Sequence, residues 1–116
     1  MAKGSVVERY NIGVYVKTLF TAANQQAQRS YKLNLTGNFI NGFGFLSDAA
    51  GNQTLFSFAC NGLNTASPTL GYTAINNNVI DSIQASTGIL TIKAKNAWST
   101  ITLFFNTNGQ YTITKE

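Results

Sequence analysis

The sequence contains no histidine and only one cysteine, and charged residues make up 10% of its 116 positions. Without histidine, a nucleophilic triad lacks its usual base with a pKa near neutral. The single cysteine, Cys60, can form neither an intrachain disulfide nor a zinc site, so we interpret it as a small core residue. The four carboxylates belong to no glycosidase or calcium-binding motif: Glu8, Asp48, Asp81 and Glu116. We therefore expect a protein that is not an enzyme and that has no catalytic residue, no metal site and no cofactor.

Charge of either sign is also scarce. Eight Lys and Arg residues against four Asp and Glu give a net charge of +4, and the cations are scattered without a run. The polar residues are instead 14 Asn, 14 Thr, 8 Ser and 6 Gln, which argues against a coiled coil or a charge-rich disordered chain. The apolar segment at positions 6–20 is interrupted by Glu8, Arg9, Asn11 and Lys17. The sequence thus shows neither a signal peptide nor a transmembrane segment, and we expect synthesis in a cytoplasm.

Apolar and polar residues alternate along most of the chain. A period of two predicts β-strands with one face in the core. The apolar rows are Tyr10, Ile12, Val14 and Val16; Tyr31, Leu33 and Leu35; Phe56, Phe58 and Cys60; Leu90, Ile92 and Ala94; and Ile101, Leu103 and Phe105. Most phenylalanines fall in such rows, so we expect most of them in the core. Gly42 and Gly44, which flank Phe43, are interpreted as strand glycines that relieve crowding.

Turn residues separate these strands. Asn108-Gly109 tolerates the positive φ angles of a type I′ turn, so we predict a hairpin between residues 101–107 and 110–115. Residues 48–52 and 86–88 are predicted hairpin loops, in which Asp48 bonds to its own backbone. Residues 61–69 and 76–78 are predicted surface loops. The segment 21–29 is expected to be a short helical turn or a protruding loop.

The number and spacing of these segments predict the fold class. Eight or nine short strands, with turns about every ten residues and no βα alternation, favour an all-β antiparallel sandwich. The preferred topology is a single jelly roll of about eight strands. Because no linker divides the chain, residues 1–116 are expected to form a single domain.

Two binding functions are alternatives to a structural role. Five residues on one outer sheet face would suit single-stranded nucleic acid: Tyr15, Lys17, Lys32, Lys93 and Lys95. Trp98 and Tyr72, near loops rich in Asn, would suit a carbohydrate-binding module, although Trp98 at a sheet end is also compatible with a packing role.

An uncharged surface favours assembly with other subunits. Hydroxyl and amide groups hydrogen-bond to neighbours without the cost of burying ions. Phe104 lies on the outward row of its strand if Leu103 and Phe105 point inward. Candidate interface residues are therefore Phe20, Tyr72, Trp98 and Phe104.

Two segments resemble small jelly-roll virion proteins of bacteriophages. The first is Phe43-Gly44-Phe45-Leu46-Ser47-Asp48-Ala49-Ala50-Gly51-Asn52, and the second is Ser99-Thr100-Ile101-Thr102-Leu103-Phe104-Phe105-Asn106, with a loop around Pro68 between them. The pattern covers residues 40–106. It is similar to the vertex, or penton, proteins of icosahedral phages with an internal membrane.

The resemblance implies a homo-oligomer, a pentamer at the fivefold positions of a virion. Its partners would be the major capsid protein and a receptor-binding spike. No catalytic residue is carried over, and neither a small-molecule substrate nor nucleic acid is expected as a partner. The sequence thus predicts a non-enzymatic penton or minor capsid subunit.

Overall fold

Nine strands account for the regular structure in the computed structural model, which describes the backbone of residues 13–20 and all of residues 28–116. They are β1 (Gly13–Phe20), β2 (Ser30–Leu35), β3 (Phe39–Ser47), β4 (Gln53–Asn61), β5 (Thr69–Ile75), β6 (Ile80–Ser86), β7 (Ile89–Ala94), β8 (Thr100–Thr107) and β9 (Tyr111–Lys115). They form a five-stranded sheet in the order β1-β8-β3-β4-β5 and a four-stranded sheet in the order β6-β7-β2-β9. All the pairings are antiparallel, so the predicted all-β sandwich is confirmed.

The core lies between the two sheets, where alternate residues of the central strands meet. In β4, every second residue from Thr54 to Cys60 is buried, and the residues between them are exposed. The predicted inward rows of β2, β4, β7 and β8 are all confirmed, including Cys60, which is 3% exposed. Full burial of a large apolar side chain contributes about 1.5–3 kcal/mol, so these rows fix which face of each strand points inward.

The strand order combines nested and sequential pairing. As in a jelly roll, β1 lies beside β8 and β2 lies beside β7, so early strands pair with late ones. The middle of the chain is simpler, because β3, β4 and β5 follow one another as a meander in one sheet. This meander makes the five-stranded sheet wider than its partner and leaves β5 at its edge.

The predicted type I′ hairpin at Asn108-Gly109 is wrong. β8 and β9 belong to different sheets, and neither Asn108 nor Gly109 has a positive φ. β9 pairs with β2, and Tyr111 packs edge-on against Phe105 across the core, with ring centroids 4.9 Å apart. The pairing of β9 with β2 and the partial burial of Tyr111 therefore outweigh the hairpin preference of the dipeptide, and the connection crosses from one sheet to the other.

The crossing loop at Asn108 is held by the loop between β2 and β3. The Asn108 side-chain oxygen accepts a hydrogen bond from the Asn38 backbone at 3.0 Å, and its amide donates to the Asn38 side-chain oxygen at 2.6 Å. An added Cβ on Gly37 would collide with the Asn108 side chain, and one on Gly109 would collide with Gly37. Glycine is thus required here for close approach of the two loops.

The predicted turns and loops at residues 48–52, 61–69, 76–78 and 86–88 are confirmed. Residues 48–52 join β3 to β4, and the loop 87–88 joins β6 to β7 with Gly88 at φ 71°. Asp48 Oδ1 accepts backbone hydrogen bonds from Ala50 and Asn52, at 3.0 and 2.9 Å. Residues 61–69 and 76–78 connect strands as expected.

Some predictions concern parts of the chain that lie outside the described residues. They include the inward row from Tyr10 to Val16, whose side chains are not described, and most of the segment 21–29. Gln28 and Arg29, which are described, belong to no helix or strand.

Candidate interaction face of the five-stranded sheet

The outer face of the five-stranded sheet carries no charged residue on its described strands β3, β4, β5 and β8. Alternation with the buried rows assigns to this face all the residues that point away from the core. They are Phe39, Asn41, Phe43, Phe45, Ser47, Gln53, Leu55, Ser57, Ala59, Asn61, Thr69, Gly71, Thr73, Ile75, Thr100, Thr102, Phe104 and Asn106. The face is therefore made of hydroxyl, amide, small and large apolar groups alone.

Five of these residues form what we call the apolar patch: Phe43, Phe45, Leu55, Ile75 and Phe104. Cross-strand register places Phe43 opposite Phe104, Phe45 opposite Leu55, and Leu55 opposite Ile75. Phe43 and Phe104 stack with centroids 4.9 Å apart and planes at 9°, and Phe45 meets Phe104 edge-on at 6.5 Å. The patch is thus a continuous row across four strands.

The patch remains accessible to solvent. Phe43 is 48% exposed and Ile75 is 62% exposed, although both are large apolar side chains. Between them, above Ser57, lies a cleft of about 230 Å³ lined by Phe43, Leu55, Phe56, Ser57, Thr73 and Ile75. Exposed apolar surface of this kind is typical of protein interaction sites.

Gly42 and Gly44 position the aromatic residues of β3. A Cβ at Gly42 would collide with the backbone of Phe104 and Phe105, and one at Gly44 would collide with the Thr102 carbonyl. The two glycines let β3 lie close to β8, which brings Phe43 onto Phe104. Their interpretation as strand glycines that relieve crowding is confirmed.

Charges on the described residues are concentrated on the opposite sheet. Arg29, Lys32, Asp81, Lys93, Lys95, Lys115 and Glu116 lie in the strands of the four-stranded sheet or next to their ends, and Asp48 lies in the β3–β4 turn. Lys32 Nζ is 3.2 Å from Glu116 Oε1, and Lys93 Nζ is 3.9 Å from Asp81 Oδ2. Over the side chains that the structure describes, the sandwich therefore has one outer side without charge and one outer side with charge.

The two shifted pKa values belong to groups outside the patch. The pKa of Asp48 is lowered, first by the hydrogen bond from the Asn52 side chain and then by backbone N–H donors of the turn. Burial raises the pKa of the Cys60 thiol. Asp48 therefore stabilises the β3–β4 turn, and Cys60 packs in the core.

The four candidate interface residues do not form one cluster. Phe104 points outward between the buried Leu103 and Phe105, as expected, and joins the apolar patch. Tyr72 is opposite Phe58 on the inner side of β5, yet 43% exposed, because it stands at the sheet edge. The backbone of Phe20 pairs with Thr100 at the end of β1, and its side chain lies outside the described residues.

Trp98 lies in a loop at one end of the sandwich, whereas Tyr72 lies midway along the edge strand β5. Trp98 is 37% exposed in the β7–β8 loop, at φ 66°. Across the sheet, Tyr72 is aligned with Phe58, Gly42 and Phe105 on successive strands. Phe105 is five residues from Thr100, the first residue of β8 after the Trp98 loop, which corresponds to roughly 17 Å along the strand. The two aromatic side chains therefore do not combine into one sugar-stacking surface.

The expected basic face for nucleic acid is not assembled. Tyr15 and Lys17 belong to β1 in the five-stranded sheet, whereas Lys32 and Lys93 belong to the other sheet. Lys32 and Lys93 each have a carboxylate neighbour. None of the described residues on the outer side of the four-stranded sheet is aromatic, so the lysines there have no stacking partner for bases.

Four residues of the apolar patch were missed by the sequence reasoning: Phe43, Phe45, Leu55 and Ile75. The expectation that most phenylalanines are in the core is wrong, because only Phe56, Phe58 and Phe105 are buried among those described. A signal for Leu55 was available, since it alternates with Phe56 and Phe58. For β3 the sequence is apolar at both parities, so periodicity alone does not assign its faces.

Among the described residues there is no helix with the length and hydropathy needed to cross a bilayer. Comparison of the chain with protein-family models, with curated proteins and with solved structures finds no match.

Proposed function

We propose that this chain is a non-enzymatic structural subunit of a virus particle and that it contacts neighbouring subunits through the outer face of its five-stranded sheet. The observation that carries the proposal is the solvent-exposed apolar patch, centred on the stacked Phe43 and Phe104, within an uncharged face. Aromatic side chains in an uncharged surround match the composition of the buried centre of protein interfaces.

The energetics of burial favour this use of the face. An exposed fraction of 48% on Phe43 corresponds to roughly 100 Å² of apolar surface, which would contribute about 2.5 kcal/mol if a neighbour covered it. The surrounding threonine, serine and asparagine groups can exchange water for hydrogen bonds to a partner. They carry no ionic charge, so covering them has no ion-desolvation cost.

The charged sheet is suited to remain in solvent. A chain with a net charge of +4 repels its own copies, but opposed sheets of a sandwich are separated by about 10 Å, comparable with the screening length of physiological salt. Copies that meet through the outer face of β3, β4, β5 and β8 keep the lysines of their four-stranded sheets apart. The proposed partners are further copies of the chain, a pentamer by the resemblance above, together with a major capsid protein and a spike.

The first test is self-association of the purified chain, measured by sedimentation velocity and native mass spectrometry over a concentration series. We expect oligomers, and we expect the double variant Phe43→Thr/Ile75→Thr to weaken their formation by tenfold or more, since each 1.4 kcal/mol corresponds to a factor of ten. Gln84→Thr, an exposed position on the other sheet, is the matched control and should leave association unchanged.

The second test places the protein in its assembly. Quantitative mass spectrometry of virus particles purified from the native source should find the chain in a fixed ratio to the major capsid protein. A chain that stays monomeric at millimolar concentration and is missing from such particles would overturn the proposal.

A further inference from the structure

The free edge of β5 is a second surface with the properties of an interaction site. Among the described strands, β5 pairs with β4 on one side only and is the last strand of its sheet. No backbone group of Thr69–Ile75 has a hydrogen-bond partner outside the β4–β5 ladder among the described residues. An edge of this kind offers a row of N–H and C=O groups to another strand.

The described edges of the other sheet are protected in ways that β5 is not. β6 has a register shift between Ile80 and Ser82, with the charged Asp81 at the irregularity. β9 has only five residues and ends in Lys115. Bulges, short length and charge are the usual devices that stop edge strands from pairing. β5 has seven residues, regular register, and neither a charged residue nor a proline within it.

We propose that β5 pairs antiparallel with β5 of a second copy of this chain, joining two five-stranded sheets into one. With Tyr72 at the twofold axis, Gly71 lies opposite Thr73, Leu70 opposite Ala74, and Thr69 opposite Ile75. These pairs contain no charges, and the β-branched and aromatic residues among them favour cross-strand packing.

A second copy fits this edge because of where the charges lie. In a twofold symmetric contact each β5 strand pairs with an identical β5 strand, so a charged residue in β5 would lie close to the same charge on the second copy. β5 has none, and most of the described charges lie on the other sheet. Pairing would also bring Ile75, at the end of the apolar patch, beside Thr69 of the neighbour, so that the two outer faces become continuous.

Gly71 allows a direct test without disturbing the fold. A Cβ added there meets no atom within 4 Å, and its φ is not in the left-handed region. Gly71→Lys should place a guarding charge on the edge and weaken dimer formation by about tenfold or more in sedimentation velocity. Gly71→Thr, the matched control, adds an uncharged strand-forming residue and should preserve or strengthen the dimer. Circular dichroism and thermal unfolding of both variants report whether the fold is intact.

Hydrogen exchange of the unmodified chain is the second measurement. We expect alternate amides of Thr69–Ile75 to exchange more slowly as concentration rises, while amides of β6 and β9 are unaffected. Exchange in β5 that is independent of concentration, in a sample that associates, overturns the edge contact.

The two proposals fail in different ways. Association that survives Gly71→Lys but is lost in Phe43→Thr/Ile75→Thr refutes the edge contact and leaves the patch as the interface. Loss in Gly71→Lys alone supports the edge and removes the patch from self-assembly. Gly71 also lies on the outer face and Ile75 also lies in β5, so loss in both variants is assigned by hydrogen exchange. Slowing of alternate β5 amides with concentration then supports the edge contact, and unchanged β5 exchange refutes it. Pairing of β5 with a different protein, detected as slowed β5 exchange only when that protein is added, refutes a second copy as the occupant.

Discussion

Replacing Thr54 by valine tests the hydrogen bonds that fix the crossing from β5 to β6. Thr54 is fully buried, and its hydroxyl accepts a hydrogen bond from the Val79 backbone N–H at 2.9 Å. The same oxygen lies 3.4 Å from the Ile80 nitrogen and 3.4 Å from the Asn76 side-chain oxygen, to which it donates. Valine keeps the shape of threonine, so the change removes the hydrogen bonds with little loss of packing.

The expected loss of stability follows from the Val79 backbone N–H, which the substitution leaves without an acceptor. A buried N–H without an acceptor costs about 1–3 kcal/mol, and Val79 is itself fully buried, so we expect Thr54→Val to lower the free energy of unfolding by about 2 kcal/mol. For a chain of 116 residues that corresponds to a fall in Tm of roughly 8 °C. Urea denaturation followed by intrinsic fluorescence, together with scanning calorimetry, measures both values.

Thr54→Ser and Thr107→Val are the controls for this reasoning. Thr54→Ser keeps the hydroxyl and loses a methyl group, so it should cost about 1 kcal/mol, less than valine. Thr107→Val removes one bond, from the Thr107 hydroxyl to the Phe39 carbonyl at 2.8 Å, and leaves no N–H without an acceptor. If valine at position 54 is as stable as the wild type while serine is not, packing rather than hydrogen bonding holds the crossing.

Three further predictions concern other buried or hydrogen-bonded groups. Tyr31→Phe should lower the free energy of unfolding by about 1–2 kcal/mol in urea denaturation, because the Tyr31 hydroxyl donates to the Ser99 carbonyl at 2.7 Å in a buried site; an unchanged midpoint would contradict this. The pKa of Asp48 is lowered in the folded state, so the ionised carboxylate stabilises the fold above the ordinary carboxyl pKa, and this stabilisation is lost as pH falls through the folded-state pKa. Asp48→Asn should therefore reduce the dependence of unfolding free energy on pH in the acid range, and an unchanged acid dependence would refute the assignment. Cys60 is buried and its thiol pKa is raised, so a thiol reagent should leave the native protein unlabelled and should label Cys60 in concentrated denaturant at the rate at which the protein unfolds; rapid labelling of the native protein would show an exposed thiol.

Alternation of residue types was sufficient to predict the sandwich. In β4 and β8 the apolar residues fall on one parity with few exceptions, so their burial was predicted residue by residue. The turn at Asp48 was predictable for the same local reason, since the side chain bonds to its own backbone. The prediction for Asn108-Gly109 failed because the conformation of this loop depends on the pairing of β9 with β2, two strands that are far apart in the sequence.

The candidate site was only partly predictable. Phe104 was assigned outward because its two neighbours, Leu103 and Phe105, were assigned to the core. Phe43 and Phe45 were not identified, since β3 has apolar residues on both faces and only the pairing with β8 and β4 shows which ones the opposite sheet covers. Their exposure is a property of sheet width and strand order, which a single sequence does not encode locally.

If the chain is a subunit of a particle, as proposed, the placement of the described charges on one side of the sandwich has a consequence for that particle. Five cations and two carboxylates give the four-stranded sheet and the residues adjoining it a surplus of three positive charges per copy. If the uncharged side is buried between copies, this surplus accumulates on the exterior, and particles repel one another as charged colloids do. Added salt would then make the particles aggregate before it weakened the contacts between subunits, since salt screens the exterior charges and does not weaken the apolar contacts.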